Sequence, residues 1–79
     1  MEAYQERVIT EKRELDVRLA KLEAFIKESK VWRTLSMYEQ TLLTHQAEHM
    51  SCYSGILAER IKRWDIVLAA EPNTAGQQP

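Results

Sequence analysis

The residues with most chemical potential lie together in "THQAEHMSCY", residues 44–53. His45 and His49 are four apart, Glu48 precedes the second histidine, and Cys52, the chain's single cysteine, follows three later. The order H-x-x-E-H is one in which zinc peptidases carry two ligands and a general base. On a helix the two imidazoles project from one side and the thiol lies one turn further on, so one zinc ion has up to three local donors. Hydrolysis asks for more: a third fixed ligand, a substrate cleft and outer groups that orient the imidazoles. A short helical chain with no remote histidine does not supply them. The expectation is therefore two ordinary helix histidines, His49 partly covered at an interface and His45 more open, and an inert, buried Cys52 thiol beside Tyr53.

No other catalytic grouping stands out. There is no glycine-rich phosphate loop, no G-x-S-x-G and no cofactor motif, so no cofactor is expected. The run Glu11-Lys12-Arg13-Glu14 reads as a solvated helix face. A small basic cluster remains, Arg60, Lys62 and Arg63, which an antiparallel neighbour would extend with Arg7. Cations late in a helix suit its macrodipole. Beside aromatic rings such as Trp64 they also suit a phosphate-bearing ligand, and an oligomer could hold a small anionic nucleotide there. Trp32 and Tyr38, at the opposite end, are candidate anchors for a partner protein or cover for the end of the bundle.

These groups must be carried by 79 residues with 11 basic and 12 acidic side chains. That is one small domain, and a core of that size supplies only about 3–5 kcal/mol. A net charge of −1 makes no case for general nucleic-acid binding. A single cysteine suits a reducing cytosol. The longest apolar run, Ile66–Ala70, is too short to cross a membrane.

Apolar residues at Tyr4, Val8, Leu15, Leu19, Leu22, Phe25 and Ile26 predict a helix over 2–28. Leu43, Met50, Leu57 and Trp64 recur every seven residues, with Tyr53, Ile61, Val67 and Leu68 alongside, and predict a second helix over 37–70. Ser36 and Glu39 form a capping-box signature before it. Residues 71–79, EPNTAGQQP, read as a disordered polar tail. The fold expected is all-α, an antiparallel two-helix hairpin over 1–70, with Ile26 beside Leu42, Leu19 beside Met50, Leu15 beside Tyr53 and Tyr4 beside Trp64. Leu42, His49 and Ile56 widen the apolar stripe beyond what the first helix covers. A second copy of the chain is the expected remedy, giving a dimeric four-helix bundle. The small residues Ala47, Ser51, Gly55 and Ala58 are added to that interface, although Gly55 is also tolerable in a helix without any such role.

"YQERVITEKRELDVRLAKLEAFI" and "LSMYEQTLLTHQAEHMSCYSGILAERI" together resemble a family of small helical proteins of tailed phages and prophages, some described by relation to a crAss-like phage protein. The polar positions Arg7, Glu11, Glu14, Gln46 and Arg60 carry most of the likeness. The resemblance implies a phage origin and the host-cell cytoplasm; with the absent catalytic groups and the broad apolar stripe, the expectation is a non-enzymatic binding protein. Such a protein would bind and block a host bacterial protein, a component of defence (as an anti-CRISPR does) or of regulation. The alternatives are an oligomeric sponge for a cyclic-nucleotide immune signal and a structural accessory of the phage.

Overall fold

The computed structural model describes residues 1–70 in backbone and 1–64 in side chains. The tail expected over 71–79 and the seam positions Val67 and Leu68 lie outside the described side chains. Two helices, α1 (Ala3–Glu28) and α2 (Met37–Ala70), run antiparallel and make a rod of 55 × 16 × 16 Å. The described residues contain no strand. The helices are long because nothing stops them: both prolines follow Ala70, and Gly55 is the one glycine inside α2.

The ends are closed by side chains. At the start of α1 the Glu2 N–H donates to Gln5 Oε1 at 2.9 Å, and Gln5 is the one buried polar residue among the described side chains. At the far end Ser29 turns into extended backbone, its N–H still reaching Phe25 O at 3.1 Å. A single 3-10 turn, Trp32–Thr34, follows, and Ser36 Oγ accepts the Glu39 N–H at 3.1 Å to open α2. Gln40 Nε2 donates to Trp32 O at 2.8 Å and ties this turn to the first turns of α2. The reversal uses no left-handed residue.

The register is the one the apolar spacing predicts. Tyr4 meets Trp64 edge-on, ring centroids 5.8 Å apart at 85°, and Lys12 and Asp16 meet Ser54 between them. Val8, Leu15, Leu57 and Trp64 are buried, with Tyr4, Ile9, Met50 and Ile61 packed around them. This core occupies the half of the rod that holds the start of α1. Toward the turn, Leu19, Leu22, Ile26 and Leu43 are only half-buried, and Phe25 packs edge-on to Trp32 at 6.3 Å. Leu42, Tyr53 and Ile56 stay open at 49%, 43% and 60% exposure. A two-helix layer has one interface, so whatever lies off that seam is wet.

Candidate functional site

The helical periods decide what each candidate residue faces. Successive residues advance by roughly 100° around a helix. With Leu57 pointing at α1, Met50, Leu43, Ile61 and Trp64 fall within one arc of it and form the seam. Trp64 is therefore a core residue, 4% exposed, and its ring is closed off by Tyr4. It offers no face on which a base could stack in this hairpin, which corrects the expectation of an aromatic platform beside the arginines.

The same rotation splits the proposed oligomer surface in two. Leu42, His49 and Ile56 lie on one flank of α2, and Ala47, Ser51 and Ala58 lie on the opposite flank. Gly55 points away from α1 altogether, and a Cβ added there would meet nothing within 4 Å. No contact within the hairpin thus calls for a glycine. On the small-residue flank Thr44, Ala47, Glu48, Ser51 and Cys52 face Ile26, Glu23 and Lys27 across an open groove of about 470 Å³.

On the other side of the outward face, Cys52, Gly55, Ile56, Glu59, Arg60 and Arg63 line a shallow depression of about 530 Å³. Its floor is apolar and its rim carries two guanidinium groups one turn apart. Among the described side chains, no carboxylate lies within 4.0 Å of Arg7, Arg60, Lys62 or Arg63; the ion pairs there are Lys12–Asp16 at 2.6 Å and His45–Glu48 at 2.9 Å. Arg60 is half-buried and Arg63 exposed. The remaining basic residues do not converge on the same depression. Lys62 is exposed and turned toward the opposite flank. Arg7 shares a separate hollow on α1 with Glu6, Thr10, Glu11 and Glu14, three carboxylates that make it a poor anion site. The basic cluster reduces to Arg60 and Arg63.

The histidines are both exposed, as is Cys52. The expectation of a buried thiol is overturned: Cys52 lies well off the seam, one residue before Tyr53 and on the outward side of α2. His45 Nδ1 is engaged with Glu48 Oε1, and no group of three His, Cys, Asp or Glu side chains assembles among the described residues. At the turn, Trp32 is half-buried against Phe25, while Tyr38 is 72% exposed, and its chain neighbour Met37 and, in the connection, Val31 are exposed too.

One polar constellation escaped the sequence. Asp16 accepts from Lys12 Nζ at 2.6 Å and from Ser54 Oγ at 2.5 Å, and Lys12 Nζ also donates to Ser54 Oγ at 3.2 Å. The Lys12 hydrogen bond first, then that of Ser54, holds the Asp16 carboxyl below its ordinary pKa. This triad pins the axial register of α1 on α2. Its sequence signal is weak, a Lys-to-Asp step of four that also occurs on any solvated helix face.

No helix among the described residues is long and apolar enough to cross a membrane. No curated protein and no solved structure matches the chain. The family model of Sequestin matches residues 2–63, which takes in α1, the turn, the seam of α2 up to Leu57 and Ile61, and both arginines of the depression. Over that span, a helical hairpin with an apolar depression rimmed by two guanidinium groups, the chain belongs to the Sequestin family.

Proposed function

We propose that the chain is a non-enzymatic, homo-oligomeric sequestering protein that takes up a small anionic signal of the cyclic-nucleotide class. The observation that carries this is the pair Arg60 and Arg63 on the rim of an apolar depression, without carboxylate partners among the described side chains. A guanidinium presents a planar fork of donors that matches phosphate oxygens, and an apolar floor suits the face of a base. The family's name, which denotes sequestration, agrees with uptake rather than turnover. A phage source and the cytoplasm of the infected cell belong to the same proposal and rest on the likeness of the two helices to small phage proteins.

Calorimetry with a panel of cyclic dinucleotides and trinucleotides tests it. At least one member is expected to bind the native chain. Arg63→Glu is expected to weaken that binding by about tenfold or more, since a charge-assisted hydrogen bond contributes about 1.5–3 kcal/mol. Silence across the panel refutes the proposal.

A second function is supported by the opposite end of the rod. Met37, Tyr38 and Val31 are exposed at 82%, 72% and 57%, and an exposed aromatic is the usual anchor of a protein–protein contact. Occlusion of a host protein through this end predicts that a Tyr38→Ala chain loses a partner which the native chain recovers from host lysate in stoichiometric amount. Recovery of no such partner by the native chain removes this function.

A further inference from the structure

We infer that the pocket beside Trp32 takes an arginine side chain presented by a partner protein. Trp32, Met37, Gln40, Thr41, Thr44 and His45 line about 260 Å³ where the turn meets the first turns of α2. That is below the roughly 300–1,000 Å³ of a small-molecule site and suits a single side chain.

The polar atoms choose its charge. Thr41 Oγ1 donates to Met37 O and Thr44 Oγ1 to Gln40 O, each at 2.9 Å, so both hydroxyls have only lone pairs left to offer. Gln40 Nε2 gives one of its two hydrogens to Trp32 O at 2.8 Å and leaves Oε1 free to accept. His45 Nδ1 donates to Glu48 Oε1 at 2.9 Å, which makes Nε2 of the neutral ring an acceptor. Against these four acceptor atoms stand two uncommitted hydrogens, the second on Gln40 Nε2 and the indole N–H of Trp32. Glu48 brings a carboxylate to the rim through His45, and no lysine or arginine lies within 4.0 Å of it among the described side chains. Lys27 lines the adjoining groove, while Lys30 and Arg33 line neither. The positive N-terminus of α2 is offset here by Glu39 in its first turn and by the C-terminus of α1 alongside.

The ring completes the preference. Phe25 holds Trp32 at 6.3 Å and 88°, and the Gln40 bond fixes its backbone. A cation over an indole is attracted by the negative face of the ring. Guanidinium fits better than ammonium, because its plane stacks on the ring while its donors spread to acceptors on several sides. Met37, 82% exposed, is a flexible apolar cover for the arginine stem. The site is separate from the Arg60/Arg63 depression. It rests on the protein-contact function of this end of the rod and names the group that a partner there would present.

Nitrogen–proton NMR of the full chain, titrated with an acetylated and amidated glycyl-arginyl-glycine peptide, is the test. The Trp32 indole signal is expected to move and saturate in the millimolar range. That of Trp64, closed off by Tyr4, is expected to stay in place. Peptides with citrulline or glutamate in place of arginine are expected to bind about fivefold or more weakly, and the lysine peptide more weakly than the arginine one. Thr41→Lys lays an ammonium in the pocket from an exposed helix position, and is expected to keep the helical circular dichroism and abolish the shift. An unmoved Trp32 signal, a citrulline or lysine peptide that binds as tightly as the arginine one, or undiminished binding by Thr41→Lys overturns the inference. Recovery from lysate reads the whole end of the rod and the peptide reads this pocket alone, so the two fail separately.

Discussion

Leu57→Ala is the sharpest test of where the core lies. Among the described side chains Leu57 is the most deeply buried large one, 1% exposed, in one cluster with Val8 and Leu15 of α1. Truncating a buried leucine costs about 2.7–5.0 kcal/mol, the transfer of the lost carbons plus the cavity they leave. A core of this size supplies only about 3–5 kcal/mol in all, so the variant should be largely unfolded unless association rescues it. Ile56, the preceding residue, is 60% exposed in the single hairpin, and Ile56→Ala should change the stability of that hairpin by no more than about 0.5 kcal/mol. The assay is urea unfolding followed by helical circular dichroism, repeated over a range of protein concentrations. A Leu57→Ala chain within about 1 kcal/mol of the native one, a fraction of the expected truncation cost, refutes the placement of the seam. An Ile56→Ala loss that appears only where the native chain is associated locates Ile56 in the interface between copies instead.

Two further substitutions probe polar contacts. Ser54→Ala removes one of the two hydrogen bonds that depress the Asp16 pKa, so that pKa should rise toward its ordinary value. The stabilisation from a depressed carboxylate is complete above the unfolded value of about 3.9 and is lost as pH falls through the folded one, so in the variant the acid-side loss from Asp16 should be smaller and complete at higher pH. Carboxyl carbon NMR titration reads the shift directly, and an unmoved Asp16 denies the triad. Tyr4→Phe removes a buried hydroxyl with no hydrogen-bond partner among the described residues while keeping its ring against Trp64. It should leave urea stability unchanged or raise it by up to about 1–3 kcal/mol, and a clear loss would show that the hydroxyl is satisfied.

What the sequence made legible was axial. Seven-residue recurrence of Leu43, Met50, Leu57 and Trp64 fixes which residues share a line along α2, and Val8, Leu15 and Leu22 do the same for α1. Folding one line onto the other gives the correct level of Tyr4 against Trp64. The terminal detail was harder. Glutamate is not among the preferred N-caps, so the bond from the Glu2 N–H to Gln5 had little sequence signal. Ser54 gave none, because a serine beside a seam is equally a solvent residue until the partner helix brings Asp16 to it.

What stayed hidden was azimuthal, and it bears on function. Trp64 could be a seam residue or a stacking platform, but not both; its place in the heptad settles that in favour of the seam, and the ligand site loses its ring. Ala47, Ser51 and Ala58 suit close helix approach and Leu42, His49 and Ile56 widen the apolar stripe, yet roughly 100° per residue sends the two sets to opposite flanks. A symmetric pairing of two copies buries one flank per chain and not both. The flank with exposed aliphatics, a bare glycine at its edge and opposed charges along its length is the one that gains from being covered. A pairing of copies over that flank would leave the groove over Ala47 and Ser51 open to solvent. An Ala47→Glu chain should therefore sediment as the native chain does, and a dimer broken by that change would place the interface on the wrong flank.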